Sequence, residues 1–316
     1  KECIGVGNGL DALILTLRAL HIGKDDEVIV PANSFIATVL AVSQVGATPI
    51  LVEPDPKSFN ITAEGIQRKI TSKTKAIIPV HLYGLSCEMD GIISVAKKAN
   101  LFIIEDNAQA HGATYKNKKT GSFGIVNATS FYPVKPLGAY GDGGAITTND
   151  DALAKQIRLL GNYGSAEKYY YETIGVNSRL DEIQAGILSI KLNYLDRWNA
   201  ERIELAALYS NVLKNIDGIQ TPIISADCTH VFHQYVIQTE KRNSLQDHLL
   251  KAGIQTAIHY PVPPHLQKAY DFLNLKKGSL PIAEKLAETI LSLPIYTGMK
   301  REEVEYVCEV IRTFYA

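Results

Sequence analysis

Short apolar runs and stretches with helical spacing alternate along the first part of the chain. The runs have the length of buried strands, and the stretches between them repeat apolar residues at the spacing of a helix. Strands are predicted at 27–30, 48–52, 76–80, 101–104 and 145–148. Helices are predicted at 11–20, 36–45, 63–70, 89–99 and 152–160. This alternation indicates an α/β fold with a mostly parallel sheet sandwiched by helices.

The pattern changes near residue 200. Residues 180–198 have the spacing of one long helix, which can continue to residue 215 after a break. Further strands are then predicted at 230–239 and 255–259, and further helices at 244–251, 282–291 and 301–314. We therefore expect a large domain at 1–199 and a smaller C-terminal α+β domain at 200–316. Because the chain begins with Lys1 just before a glycine motif, we also expect that an N-terminal segment is missing.

Composition and charge exclude several classes of protein. The 316 residues are 46% hydrophobic and 21% charged with a net charge of −1, and no block of basic residues suggests a nucleic-acid partner or a membrane surface. No apolar run approaches the roughly 18 residues of a membrane span. The four cysteines are scattered without Cys-x-x-Cys spacing, which is typical of reduced thiols in a cytoplasmic protein and does not favour a metal site.

Lys135 and Asp106 form the most informative pair of candidate residues. Lys135 lies between the aromatic-proline segment 130–134 and a glycine-rich turn, a confined position that suits an amine attacking an aldehyde. Asp106 follows the predicted strand 101–104, at the end of a parallel strand where ligands of such sheets bind. A pyridoxal phosphate enzyme needs such a lysine, and an acid that pairs with the protonated pyridine nitrogen. Asp106 can also be a simple loop or helix cap.

Each of three other candidate sites can be explained by a functional role or by a purely structural one. The turn Gly5 to Leu10 precedes a helix and can hold a phosphate or be a plain tight turn, but Leu10 breaks the dinucleotide-binding pattern. Phe35 follows a predicted strand and can stack on a planar ring or belong to the core. Asn177 can cap a helix or serve the site of a neighbouring subunit.

Histidines give weaker signals. His230 and His233 are three apart on a predicted strand, so they should face opposite sides and not form a metal pair. His259 and His265 flank the proline loop 260–264, and one of them can contact a substrate.

Seven stretches in their order resemble the DegT/DnrJ/EryC1/StrS sugar aminotransferase family of fold-type I pyridoxal phosphate enzymes. They are residues 5–13, 26–31, 79–84, 105–113, 130–144, 177–184 and 259–261. Members of this family are homodimers with their sites at the interface. The chain departs from the usual family pattern at Leu10, Val134 and Pro136, and Leu10 removes one side-chain contact to phosphate.

The resemblance implies a role for each candidate. Lys135 would form the Schiff base with pyridoxal 5'-phosphate, Asp106 would hold the pyridine nitrogen, and Gln109 would approach the phenolic oxygen. Phe35 would lie against the ring. The phosphate would be held by Asn8, Gly9, Leu10, Ser130 and a second subunit's Asn177, and the substrate would be contacted by Tyr83, His259 and Tyr260.

The implied reaction moves an amino group from L-glutamate to a nucleotide-linked keto sugar. The stretches 8–10, 81–83 and 109–111 are most similar to enzymes that aminate a dTDP-linked 3-keto-6-deoxyhexose. Lys135 argues against dehydratase relatives that carry histidine there. Three alternatives stay open: a non-catalytic regulator with the same fold, an aminotransferase for a 4-keto or UDP-linked sugar, and a nicotinamide-dependent sugar oxidoreductase.

Overall fold

A computed structural model describes residues 1–316. The helices are α1 (Gly9–Ala19), α2 (Ile36–Gln44), α3 (Ala63–Gln67), α4 (Met89–Ala99), α5 (Asp151–Gly161), α6 (Glu182–Leu192), α7 (Leu195–Leu213), α8 (Arg242–Lys251), α9 (Pro281–Thr289) and α10 (Arg301–Tyr315). The strands are β1 (Glu2–Val6), β2 (Glu27–Pro31), β3 (Thr48–Val52), β4 (Thr74–Ile77), β5 (Phe102–Asp106), β6 (Thr114–Tyr115), β7 (Lys118–Lys119), β8 (Val126–Ser130), β9 (Gly144–Thr148), β10 (Ser165–Glu167), β11 (Tyr170–Tyr171), β12 (Tyr235–Gln238) and β13 (Ile290–Leu293).

Seven strands form the central sheet in the order β1-β9-β8-β5-β4-β2-β3. The neighbours from β8 through β5, β4 and β2 to β3 pair in parallel, whereas β9 is antiparallel to both β8 and β1. The sheet is therefore mixed and mostly parallel, as predicted. Its parallel strands bring the carboxyl ends of β2, β5 and β8 to one edge.

The central strands are buried on both faces, which explains their continuous apolar sequence. In β2, Val28 and Val30 pack into a core with α1, α2 and α5, while Ile29 points to a second core with α4. All three side chains are fully buried. Because successive residues of a strand face opposite sides, one apolar run supplies both helical layers.

The C-terminal part has its own core. It is built from α7, α8 and α10 around the antiparallel ribbon of β12 and β13. Helix α7 takes part in two cores, because Leu195 packs with Leu137 and Leu188 whereas Tyr209 packs in the C-terminal core. The division between residues 199 and 200 stays a prediction, and α7 runs through it. No helix combines the length and apolarity needed to cross a bilayer.

Four predicted elements differ most from the structure in extent or type. The single helix 180–198 is two helices, α6 and α7, because the chain turns at Asn193 and Tyr194. The helix 282–291 ends at Thr289, since the buried segment from Ile290 pairs with β12 as strand β13. Residues 255–259 form no strand, and only Ala257 bridges to the neighbouring ribbon.

The fourth correction concerns the strand predicted at 230–239, which begins only at Tyr235. Phe232 has a positive φ of 49°, so the chain turns before the strand. His230 and His233 therefore lie in a loop, and strand alternation does not separate them. The sequence pattern also gave no sign of β1 and β8.

Candidate active site

A chamber of about 530 Å³ lies at the edge of the sheet where β2, β5 and β8 end. Ten of the twelve predicted site residues line it: Asn8, Gly9, Leu10, Phe35, Asp106, Gln109, Ser130, Lys135, His259 and Tyr260. The other two are Tyr83, which is buried behind the chamber, and Asn177, which is exposed elsewhere on the surface. Residues far apart in the sequence therefore converge on one site.

Asp106 is the last residue of β5 and is almost fully buried. Its Oδ2 accepts a hydrogen bond of 2.8 Å from Thr38 Oγ1, and its Oδ1 accepts one of 3.2 Å from the Ala108 amide. Burial raises the pKa of Asp106, while the two hydrogen bonds and the charge of Lys135 oppose the shift. A cation bound beside this carboxylate would favour its ionised form.

The preceding residue, Glu105, points to the other face of the strand and anchors the next loop. Its carboxylate accepts hydrogen bonds from the amides of Gly121, Phe123 and Gly124, at 2.7, 2.6 and 2.8 Å, and contacts His81 Nε2 at 3.0 Å. Burial raises the pKa of Glu105, but the His81 contact and the amide donors outweigh burial and hold the pKa below its ordinary value. This network fixes the end of β5, and with it Asp106.

Gln109 is held in one orientation by two tyrosines. The Tyr83 amide donates to its Oε1 at 2.6 Å, and its Nε2 donates to the Tyr260 hydroxyl at 3.2 Å. The Tyr83 hydroxyl in turn donates to the carbonyl of His259. Tyr83 thus positions the residues that line the chamber and does not line it itself.

The first turn of α1 forms one end of the chamber. Asn8 caps the helix by accepting a 2.8 Å hydrogen bond from the Asp11 amide. The first intrahelical bond is donated by Ala12, which leaves the Gly9 and Leu10 amides at the helix end. A Cβ on Gly9 would lie 2.7 Å from Ser130 Cβ, so only glycine allows this close approach. Free amides at a helix N-terminus are suited to a phosphate.

Lys135 lies where the chamber meets a second, open cleft of about 720 Å³. Burial lowers the pKa of its amine, and the charge of Asp106 only partly opposes this. Its side chain forms no hydrogen bond or ion pair within the chain. A lysine in this state is more reactive as a nucleophile than one in water, because a larger fraction of the amine is neutral.

Phe35 is 49% exposed although it is aromatic, because its ring lines the chamber wall. Its centroid lies 5.4 Å from that of Tyr260, with the two rings tilted by 40°. The two aromatic side chains give the chamber an apolar side against which a planar ring can pack.

Several residues of the site carried no usable signal in the sequence. Thr38 is one, because its bond to Asp106 joins residues that are distant in the chain. Ser178 is another, since its hydroxyl accepts from the Gly7 amide at 2.9 Å and donates to Asp11 at 2.6 Å, which ties the segment before α6 to the start of α1. His233 and Gln234 line both the chamber and the second cleft.

Burial lowers the pKa of the two histidines at this junction, His233 and His259, and of His111. Burial lowers the pKa of His259 to about 4, and the charge of Lys135 adds to the effect. Burial lowers the pKa of His111 to about 3, and its Nε2 shares a 2.8 Å hydrogen bond with Thr129. The pKa of His233 is held well below its usual range by burial and by the charges of Lys135 and Arg202.

The chamber fits pyridoxal phosphate. It offers a free amine at Lys135, a buried acid at Asp106, an oriented amide at Gln109 and unbonded amides at Gly9 and Leu10. These groups match the aldehyde, pyridine nitrogen, phenolic oxygen and phosphate of the cofactor. Fold and chamber together define a fold-type I pyridoxal phosphate enzyme.

Comparison with known proteins identifies the family within this class of pyridoxal phosphate enzymes. The model of the DegT/DnrJ/EryC1/StrS aminotransferase family matches residues 1–312, and the chain belongs to this family. A dTDP-3-amino-3,6-dideoxy-α-D-galactopyranose transaminase of Aneurinibacillus thermoaerophilus is 54% identical over 314 residues, which covers 99% of this chain and 86% of the relative.

Solved structures of similar proteins support the same family and cofactor. S. venezuelae DesV in complex with a ketimine intermediate has a TM-score of 0.98 at 46% identity, covering 100% of this chain and 85% of that chain. NtdA of Bacillus subtilis with bound cofactor PMP has a TM-score of 0.90 at 34% identity, covering 99% of this chain and 74% of that chain. The predicted family, fold class, cofactor and activity class, a pyridoxal phosphate-dependent nucleotide-sugar aminotransferase, are confirmed.

Proposed function

We propose that the protein transfers the amino group of L-glutamate to the keto carbon of a dTDP-linked 3-keto-6-deoxyhexose. The observation that carries the proposal is the chamber in which Lys135, Asp106 and Gln109 converge. The choice of sugar is supported by the 54% identity to a dTDP-3-amino-3,6-dideoxygalactose transaminase. Donor and acceptor would use the same chamber in turn.

Lys135 would bind the cofactor covalently and then, once released, move a proton. When bound, pyridoxal phosphate supplies a positively charged ring that accepts the electron pair of the broken bond. The freed Lys135 amine would take the proton from the α-carbon of glutamate and would return a proton at the carbon that bore the aldehyde. Burial lowers the pKa of the free amine, and this shift favours the neutral form that would accept the proton.

Asp106 and Gln109 would hold the cofactor in its reactive form. The Asp106 carboxylate keeps the proton on the pyridine nitrogen, and Thr38 and Ala108 hold that carboxylate in place. The Gln109 amide would lie against the phenolic oxygen, with Tyr83 and Tyr260 fixing its orientation. Phe35 would cover one face of the ring and limit access of water.

We infer that a second copy of the chain completes the site. Ile183 and Ile190 lie two helical turns apart on α6 and are 78% and 66% exposed. Ile174 in the preceding loop is 85% exposed. Such an apolar surface is typical of a protein interface. Asn177 lies in this same segment and does not line the chamber of its own chain. A homodimer would bury this surface and bring Asn177 to the phosphate end of the partner's site.

We also propose a cytoplasmic location. All four cysteines are free, and three of them are buried, which suits a reducing compartment. Fractionation of cells that produce the full protein would test this: the protein should appear with the cytoplasmic fraction.

A panel of nucleotide-linked keto sugars tests the function. Each is incubated with L-glutamate and the holoenzyme, and the product is identified by mass and NMR. The dTDP-linked 3-keto-6-deoxyhexose should give the 3-amino sugar with the highest kcat/KM, because a site built for one hydroxyl pattern rejects another by ~10⁴ or more. Preference for a 4-keto sugar or a UDP-linked acetamido sugar would refute the choice of acceptor. Bound cofactor without turnover of any sugar would favour a regulator.

A further inference from the structure

Arg202 is a buried cation without a counter-ion. It lies on α7, is 8% exposed, and makes no ion pair with any acid. Its Nη1 donates to the carbonyls of Phe232 at 3.3 Å and Ile295 at 3.1 Å. Burial lowers the pKa of its guanidinium, and no acid opposes this shift. An unpaired buried charge is costly, so this position calls for an anion.

The cleft beside Arg202 is positive. Its charged side chains are Lys135, Lys191 and Arg202, and no acidic residue lines it. Lys191 is held in place by a 2.6 Å hydrogen bond to the Gly138 carbonyl. Since like charges in a cleft with apolar walls focus the field, an anionic ligand should concentrate there.

The cleft is continuous with the cofactor chamber. Lys135, His233 and His259 line both. An anion held by Arg202 can therefore belong to a molecule whose reacting carbon lies at Lys135. Trp198 and Tyr296 also line the cleft and provide aromatic faces.

Arg242 shows the surroundings of a buried arginine that has only a structural role, and Arg202 can be compared with it. Arg242 is equally buried and donates from Nη1 to two carbonyls, those of Ala287 at 3.2 Å and Ile290 at 3.4 Å. The charge of Glu288, however, acts on Arg242, and Arg242 lines neither cleft nor chamber. Arg202 differs in having no acid near it and in facing a cleft that contains Lys135.

We propose that Arg202 binds an oxyanion of the substrate in this cleft, either a carboxylate of the amino donor or the diphosphate of the nucleotide. The inference rests on the proposed function. The planar guanidinium can donate two parallel hydrogen bonds to either group, while Nη1 keeps its bonds to Phe232 and Ile295. His233, whose buried Nδ1 has no hydrogen-bond partner, lines the same cleft.

Calorimetry on the holoenzyme tests the inference. The probes are dTDP, whose anionic group is the diphosphate, and glutarate, whose anionic groups are two carboxylates. Arg202→Gln should weaken binding of at least one probe about 10- to 100-fold, as expected for the loss of a charged hydrogen-bond pair. Arg202→Lys should retain part of the affinity. Arg242→Gln is the matched control and should bind both probes like the unaltered chain, and thermal melting establishes that each variant is folded.

The two probes distinguish the two sources of the anion. Loss of dTDP binding alone assigns the diphosphate, and the KM for the keto sugar should then rise in the holoenzyme. Loss of glutarate binding alone assigns the donor carboxylate, and the KM for glutamate should rise instead. Equal affinities in Arg202→Gln and the unaltered chain, or no binding of either probe to the unaltered chain, would overturn the inference. These binding results do not depend on which sugar is aminated, so failure of the proposed function is a separate outcome.

Discussion

The hydroxyl of Thr38 donates a hydrogen bond of 2.8 Å to Oδ2 of Asp106. Thr38 lies on α2 and Asp106 ends β5, so the bond joins a helix of one layer to the edge of the sheet. With the Ala108 amide on Oδ1, it fixes the plane of the carboxylate. Because burial raises the pKa of Asp106 and this bond lowers it, Thr38 helps to keep the acid ionised for the cofactor.

Thr38→Val should therefore weaken cofactor binding. Valine keeps the shape of threonine but removes the donor, which costs a hydrogen bond to a charged group and should raise the dissociation constant of pyridoxal phosphate about tenfold. Fluorescence titration of the cofactor-free protein measures this. Thr38→Ser, which keeps the hydroxyl, is the control, and equal affinity in the valine and serine variants would show that the bond does not matter.

Asp106→Asn should bind the cofactor but react slowly. A neutral amide cannot hold the proton on the pyridine nitrogen, so removal of the α-proton of glutamate should slow by ~10²-fold or more. Single-turnover deamination of glutamate, followed by absorbance, measures this step alone. A near-normal rate in a variant with full cofactor occupancy would remove Asp106 from the mechanism.

Mixing two inactive variants tests whether Asn177 acts on the partner subunit. In a hybrid of Lys135→Ala and Asn177→Asp chains, one site carries both lesions and the other carries neither. Random re-association of equal amounts should then restore about a quarter of the unaltered activity. Native mass spectrometry establishes that hybrids form. If hybrids form and activity stays absent, Asn177 serves its own chain.

Stability should depend on pH through buried histidines. Burial lowers the pKa of His230 from 6.5 to about 3, so the unfolded chain takes up a proton in this range and the folded chain does not. The contribution of His230 to the free energy of unfolding is therefore retained above pH 6.5, and it is lost progressively as the pH drops toward 3.

His230→Asn removes this contribution. Asparagine can still accept the 2.9 Å hydrogen bond that the Phe232 amide donates to the ring, but it does not titrate. Between pH 6.5 and about 5 the unaltered chain should lose about 1.6 kcal/mol more than the variant, because the slope approaches ~1.4 kcal/mol per pH unit only below pH 6. Urea unfolding at both pH values measures the difference, and parallel losses would contradict the assignment.

The sequence predicted the parallel core from local patterns, and it predicted most of the chamber from Lys135, Asp106 and the resemblance to a known family. Apolar runs such as Val28 to Val30 are buried on two faces, and the residues after such strands meet at one edge of the sheet. Strand β8 escaped notice because it contains the buried polar residues Asn127 and Thr129, whose side chains bond to distant partners.

Long-range contacts account for what the sequence did not show. The role of Thr38 depends on Asp106, which is 68 positions away, and Arg202 is notable only because no acid lies near it in space. The helix predicted through Leu291 became a strand from Ile290 because β12 offered an edge for pairing. None of these partners can be read from neighbouring residues.

Covalent trapping of the cofactor tests the central claim most directly. The holoenzyme is reduced with borohydride and digested, and the peptide that carries the pyridoxyl group is sequenced by mass spectrometry. The pyridoxyl group should lie on Lys135, and Lys135→Ala should carry none. The melting temperature of this variant should stay near that of the unaltered chain, since the Lys135 side chain makes no hydrogen bond in the fold. A pyridoxyl group on any other lysine, or full transamination by the alanine variant, would contradict this claim.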